Sequence, residues 1–185
     1  MERSANTKAE LRQRFRHDRA LSQATASFDS WKHILESQEI KGADHIASYI
    51  SYGDEPQTLD LNEAILSSRK SLYLPRLLAD SSLEWVAWNG DASDLKKKKN
   101  ILEPQGPSVD PAQIQAFIVP ALHINREGYR LGQGGGSYDR ALAGHSAWKI
   151  GLVYAGELTN ENIMVEPHDQ KLDAAATPSL IVRFI

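Results

Sequence analysis

The chain has no cysteine among its 185 residues. That absence excludes disulfide bonds, thiolate metal centres and a cysteine nucleophile together. It accords with a reducing compartment without requiring one. Long apolar runs are missing too: no stretch approaches the roughly 20 residues that span a bilayer as a helix. Glu2, Arg3 and Lys8 stand near the N-terminus with no apolar core behind them, so no secretory signal is expected. The expectation is a cytoplasmic protein that engages no membrane. An excess of positive charge is also lacking. Lysines and arginines number 21 against 24 acidic residues, a net charge of −3. Nucleic-acid binding is therefore not expected, because it normally shows as a basic face. A polyanionic small molecule would have to be met by local charge and not by the overall field. Repeats and low-complexity linkers are absent.

What is there suits one ordinary domain. Hydrophobic residues make up 41% and charged residues 24%, and a chain of this length buries roughly 70% of its unfolded surface. Thr7 and Glu10 have the spacing of a capping box, which predicts a helix over 8–21 with Leu11, Phe15 and Leu21 as a sparse apolar stripe. A second helix is predicted over 28–37 and a third over 60–68. Strands are predicted over 45–52, 71–75, 83–88, 116–120, 149–154 and 180–184, the second ending at Pro75 because proline has no amide for a ladder. The run 116–120 is apolar without alternation, as a central strand buried on both faces should be. A helix is expected to start near Tyr138. Alternating strands and helices predict an α/β fold: one three-layer α/β/α domain over residues 1–185, with a largely parallel mixed sheet.

The segment Arg130-Leu-Gly-Gln-Gly-Gly-Gly-Ser-Tyr-Asp-Arg140 carries the chemistry. Four glycines in five positions strip the backbone of β-carbons except at Gln133, so it can approach a ligand closely. Successive amides in such a loop form an anion-binding concavity, and a helix start just beyond it adds its positive end. Arg130 and Arg140 flank the loop with forked donors suited to phosphate or carboxylate. Asp139 offers the hard oxygen that Mg²⁺ prefers. A dinucleotide fingerprint started at Gly132 would need glycine where Ser137 stands, and no Gly-Lys-Ser/Thr triplet supports a Walker A loop. A flexible glycine turn between solvated charges is the plain alternative.

The segment resembles the signature of the 5-formyltetrahydrofolate cyclo-ligase family, which runs roughly Arg-Leu-Gly-x-Gly-Gly-Gly-Tyr-Tyr-Asp-Arg. Lys8-x-x-Leu11-Arg12 is similar to that family's basic ATP-contacting helix. Asp54-Glu55 and Thr58 look like its folate-contacting segment, and His168-Asp169 with Asp173 like its C-terminal acidic element. Three features depart from the pattern: Ser137 replaces a tyrosine, Pro56 a β-branched residue, and His123-Ile-Asn-Arg126 is unusually polar.

The resemblance implies an ATP- and Mg²⁺-dependent enzyme that closes 5-formyltetrahydrofolate to 5,10-methenyltetrahydrofolate, working as a monomer on small molecules. It implies that Lys8, Ala9, Glu10, Leu11 and Arg12, together with Arg130, Leu131, Gly132, Gln133, Gly134, Gly135, Gly136, Ser137 and Tyr138, contact ATP. Arg12, Ile50, Glu55 and the stretch from Gln133 to Ser137 would contact folate. Arg130 and Arg140 would be the catalytic cations, and Asp139 and Asp173 would hold Mg²⁺. Each reading has a plainer counterpart. Lys8 and Arg12 make an ordinary solvated face, Glu55 a turn carboxylate, Asp173 a helix cap, His168 a loop-orienting residue, and Lys96–Lys99 a solvated turn instead of a landing strip for the folate glutamate. Two other functions compete: a different enzyme on a similar scaffold, such as a sugar-phosphate isomerase or CoA transferase, and a nucleotide- or folate-binding protein without turnover.

Overall fold

The computed structural model describes residues 7–22 and 30–185. Helix α1 (Lys8–Ser22) opens as the capping box requires: the Thr7 amide and hydroxyl donate to Glu10 Oε2 at 2.8 and 2.9 Å. Its apolar stripe, Leu11 and Phe15, packs on Leu122, Leu131 and Ile163. In chain order there follow α2 (Gln38–Lys41), β1 (His45–Ala47), α3 (Leu59–Ser67), β2 (Ser71–Leu77), β3 (Leu83–Trp88), β4 (Leu95–Lys98) and β5 (Ile101–Pro104). Then come β6 (Ser108–Val109), β7 (Ala116–Pro120), β8 (His123–Asn125), β9 (Arg130–Leu131) and α4 (Ser137–Leu142). The chain closes with β10 (Trp148–Leu152), β11 (Leu158–Thr159), β12 (Ala174–Ala176) and β13 (Ile181–Arg183).

The main sheet runs β13-β12-β10-β7-β1-β2-β3-β6. Its five central strands are parallel, while β13 pairs antiparallel with β12, β3 with β2, and β6 with β3. The unbroken apolar run of β7 explains its central place. Ala116 and Ile118 enter one core with Trp31, Ile34, Ile40, Leu61 and Ile65, beneath α2 and α3. Phe117 and Val119 enter the other with Leu142 of α4 and Ile124. Helices thus lie on both faces, in keeping with the expected α/β class. A small sheet, β11-β8-β9, supports the second face and carries the chain from β9 into the glycine loop.

Several expected elements differ. In place of a helix over 28–37 there is a 3₁₀ turn, Lys32–Glu36, before α2, and position 28 lies outside the described residues. The first strand stops at Ala47, because the chain then bonds to the start of α3: Thr58 Oγ1 and Asn62 Nδ2 both donate to the Tyr49 carbonyl, at 2.6 and 2.9 Å. Strand β2 continues through Pro75. The Tyr73 carbonyl accepts from Ser48 N at the end of β1, so Pro75, two residues on, turns its missing amide to the side where β1 has already ended. Of the lysine run, Lys96, Lys97 and Lys98 lie in strand β4, which pairs with β5, and Lys99 lies in the turn between them. The polar segment from His123 is β8, where Asn125 Oδ1 accepts from the Glu127 and Tyr129 amides and shapes the turn into β9.

Candidate active site

The C-terminal ends of β1 and β7 open into a cleft of about 310 Å³, the usual place for a ligand in an open α/β sheet. Its floor comes from the residues after those strands, Tyr49, Ile50, Glu55, Ala121 and Leu122. The glycine loop, residues 130–139, forms one wall. Lys8 and Arg12 of α1 close a second, and the β4–β5 hairpin closes a third through Ile101, Leu102 and Glu103.

The loop is clasped from behind by its carbonyls. Arg12 Nε donates to Gly132 O at 2.9 Å, Arg16 Nη2 to Gln133 O at 3.1 Å, and Arg140 Nη2 to Gly135 O at 3.0 Å. A trans peptide sets each following N–H opposite to the carbonyl before it. The amides of Gln133, Gly134 and Gly136 therefore point away from these arginines, and among the described residues the amides 133–136 have no protein acceptor. The geometry constrains two glycines in different ways, the first by its backbone and the second by the arginine that would have to move. Gly134 sits at φ +109°, and a Cβ on Gly132 would stand 2.6 Å from Arg130 Nη1. Gly134→Ala should cost about 1–3 kcal/mol of stability and weaken binding of any anion held by the loop. Denaturant unfolding and nucleotide titration check both, and an unchanged variant would show that the positive φ is dispensable.

Charge is concentrated here despite the acidic total. Arg130, buried, pairs with Asp139 Oδ2 at 2.9 Å, and the Gln170 amide donates to Asp139 Oδ1 at 3.2 Å. Lys8 Nζ bridges Glu166 Oε2 and Asp169 Oδ2, each at 2.6 Å. Burial opposes the charge on both Lys8 and Asp169. Their mutual contact outweighs it, holding the ammonium above its usual range and the carboxyl below. Glu166, His168 and Asp169 are the described residues whose ligating atoms converge tightly enough for a metal ion.

Glu55 lies at the deep end of the cleft. Burial raises its carboxyl to about 7, against the pull of the Tyr52 amide and the Arg19 charge. Tyr49 and Tyr138 line the cleft beside it, and burial with the Glu55 charge pushes both phenols up. Between its ordinary value near 4.5 and about 7, folded Glu55 holds a proton that the unfolded chain has released. Stability therefore falls as pH rises through that window. Glu55→Gln should be the more stable protein above pH 7, by up to on the order of 3 kcal/mol, with the gap closing towards pH 4.5. Paired unfolding curves at pH 5 and 8 check this; a gap that does not change with pH would mean Glu55 is already ionised throughout.

The structure brings Lys8, Arg12, Ile50, Glu55, Arg130 to Ser137, Tyr138 and Asp139 to one cleft and places the other expected residues outside its lining. Ala9 and Glu10 do not line it: Glu10 is spent on the Thr7 cap. Leu11 is a core residue. Only positions one helical turn apart, 8 and 12, face the cleft. Arg140 lies behind the loop, donating to Ser81 O and Gly135 O, so it braces backbone. Asp173 is at the wrong end of the sheet. It precedes β12, and its carboxylate accepts from the Lys149 amide at the start of β10, 2.7 Å away. Asp169 takes its place beside Asp139, since Gln170 ties the two segments together. Arg16 and Glu166 were not singled out from the sequence. The 8-12-16 spacing of basic residues on α1 was the available signal for Arg16.

The chain has relatives of known family. The profile of the 5-formyltetrahydrofolate cyclo-ligase family matches residues 2–178. A 5-formyltetrahydrofolate cyclo-ligase of Mycolicibacterium smegmatis is 31% identical over 143 residues, 72% of this chain and 73% of that protein. One of Escherichia coli K12 is 29% identical over 144 residues, 74% of this chain and 79% of that one. The NMR structure of Aquifex aeolicus 5,10-methenyltetrahydrofolate synthetase superposes with a TM-score of 0.81 at 27% identity, covering 95% of this chain and 92% of that one. With the profile spanning nearly its whole length and the glycine loop, basic helix and acidic turn meeting in one cleft, the chain belongs to the 5-formyltetrahydrofolate cyclo-ligase family.

Proposed function

We propose that the chain uses ATP to close 5-formyltetrahydrofolate into 5,10-methenyltetrahydrofolate, releasing ADP and phosphate. One observation carries the reading: a loop of amides without protein acceptors opens into a cleft lined by Lys8, Arg12 and Arg130, with a buried carboxylate at its floor.

The chemistry needs both halves. A formamide oxygen is a poor leaving group, so the γ-phosphoryl of ATP is first transferred to it, giving an iminium phosphate. The neighbouring folate nitrogen attacks the formyl carbon, the C–O bond breaks, and phosphate departs with the former formyl oxygen while the nitrogen's proton is lost. No side-chain nucleophile is required. Phosphoryl transfer is mainly positioning and charge neutralisation, which the loop amides and basic residues supply. Glu55 accepts hydrogen bonds from the pterin amino and ring N–H groups. A charged Glu55 binds better, so folate affinity should rise with pH through about 7.

The residues present fit a magnesium ion. Its preferred donors are hard oxygens, and the Lys8 ammonium already sits where Asp169 and Glu166 can hold a cation. Asp139 and Asp169 would hold the ion, which when bound neutralises charge on the phosphates. A purified sample given 5-formyltetrahydrofolate with and without MgATP should develop the near-ultraviolet absorbance of a methenyl product only with MgATP. Product without ATP, or ATP binding without product, would replace this reading with an ATP-independent enzyme or a binding protein.

A further inference from the structure

Glu166 and Asp169 share one ammonium, that of Lys8, at 2.6 Å from each. Asp169 Oδ2 also accepts from the Glu166 amide at 2.7 Å, so the acidic turn is folded around the oxygen that Lys8 holds. Asp139 is likewise engaged, by Arg130 and by the Gln170 amide. Three of the carboxylates that line this side of the cleft are thus matched by the protein's own cations. The two cations differ in freedom. Arg130 is 4% exposed and lies against Gly132, whereas Lys8 sits on the first turn of α1 with its ammonium at the end of a flexible stem. A compact charge on such a stem exchanges partners easily.

We infer that Lys8 is a placeholder cation: it occupies Glu166 and Asp169 until nucleotide binds, and a divalent metal gains the Asp169 oxygen only when the phosphates draw Lys8 away. The inference rests on the cleft being a MgATP site. A divalent ion and an ammonium on the same Asp169 oxygen repel strongly in a part-buried setting, so the two occupations exclude each other. Moving from the carboxylates to phosphate keeps Lys8 paired throughout and frees the acidic turn as the metal arrives. Metal and nucleotide binding are then positively coupled, each strengthening the other by the same factor. Glu166 acquires a role as the second anchor of the resting position. An ordinary surface ion pair would produce no such coupling.

Mn²⁺ serves as the probe, with free Mn²⁺ followed by electron paramagnetic resonance in the absence of nucleotide. Wild type should bind it weakly, and Lys8→Met at least about tenfold more tightly, since one competing charge has been removed. Adding Asp169→Asn to Lys8→Met should erase the gain. A non-hydrolysable ATP analogue should tighten Mn²⁺ on wild type beyond what the analogue holds alone. Equal nucleotide-free affinity in wild type and Lys8→Met, with the analogue's effect intact, would overturn the placeholder role and leave the proposed function standing. Absence of Mn²⁺ binding to wild type even with the analogue would remove the metal site itself, and this inference with it.

Discussion

Asp139→Asn is expected to reduce turnover by at least ~100-fold while the protein stays folded. The carboxylate lines the same cleft as the glycine loop from the first turn of α4 and is held by Arg130 and by the Gln170 amide. Asparagine keeps the shape, and its oxygen still accepts one of those bonds, so Arg130 is not stranded. What disappears is the charge that a magnesium ion would bind. Losing one well-placed electrostatic contact in a preorganised site commonly costs 10²–10³ in rate, and phosphoryl transfer depends on such contacts more than most reactions. Steady-state kinetics with varied Mg²⁺ should show the lost kcat together with a raised metal requirement. A variant with wild-type kcat at ordinary Mg²⁺ would remove Asp139 from the metal site.

The largest effect on stability is expected at Arg19. Its guanidinium is buried, donating to both Glu157 oxygens at 2.6 Å and to the Ala121 carbonyl at 2.6 Å. The pair joins the far end of α1 to the strand ends beneath the cleft, and Glu157 also accepts from the Tyr154 amide at 2.9 Å. Arg19→Ala leaves Glu157 without its counter-charge, a change that typically costs about 3–5 kcal/mol, a large share of a total near 5–15. Burial already raises the Glu157 carboxyl against the pull of Arg19. Without Arg19 the group rises further, so the deficit should shrink in acid, where Glu157 takes up a proton. The double variant Arg19→Met with Glu157→Gln should be less damaged than Arg19→Ala, because no charge stays buried. Urea unfolding at pH 5 and 8 measures all of this. A loss below about 1 kcal/mol would make the pair no better than a surface contact.

How much of this was legible beforehand depended on the reach of each signal. The apolar run at 116–120 and the Thr7–Glu10 cap act over a few residues, and both elements formed where the sequence placed them. The first strand was overextended because its end is set by Thr58 and Asn62, residues that bond back to Tyr49 from α3. Pro75 misled for a similar reason: whether a strand needs an amide depends on the length of its neighbour. The glycine loop stood out because no side chain is needed to read it. Its bracing by Arg12 and Arg16 depends on α1 folding across it, which no local pattern states. Asp173 and Asp169 lie four residues apart and look equivalent in sequence. Only the register of β12 against β10 sends one to the far end of the sheet, while the Gln170–Asp139 bond keeps the other at the cleft. The field at Glu55 is also largely non-local, since it arises mainly from burial in the folded chain and in part from the charge of Arg19 on α1.

The most direct test follows one oxygen atom. With 5-formyltetrahydrofolate labelled by ¹⁸O in the formyl group and unlabelled MgATP, each turnover should deliver that oxygen into inorganic phosphate, detected by mass spectrometry alongside methenyl formation. Methenyl product accompanied by unlabelled phosphate would show that the formyl oxygen is never phosphorylated, and the account of this cleft as a place where ATP activates the folate would be wrong.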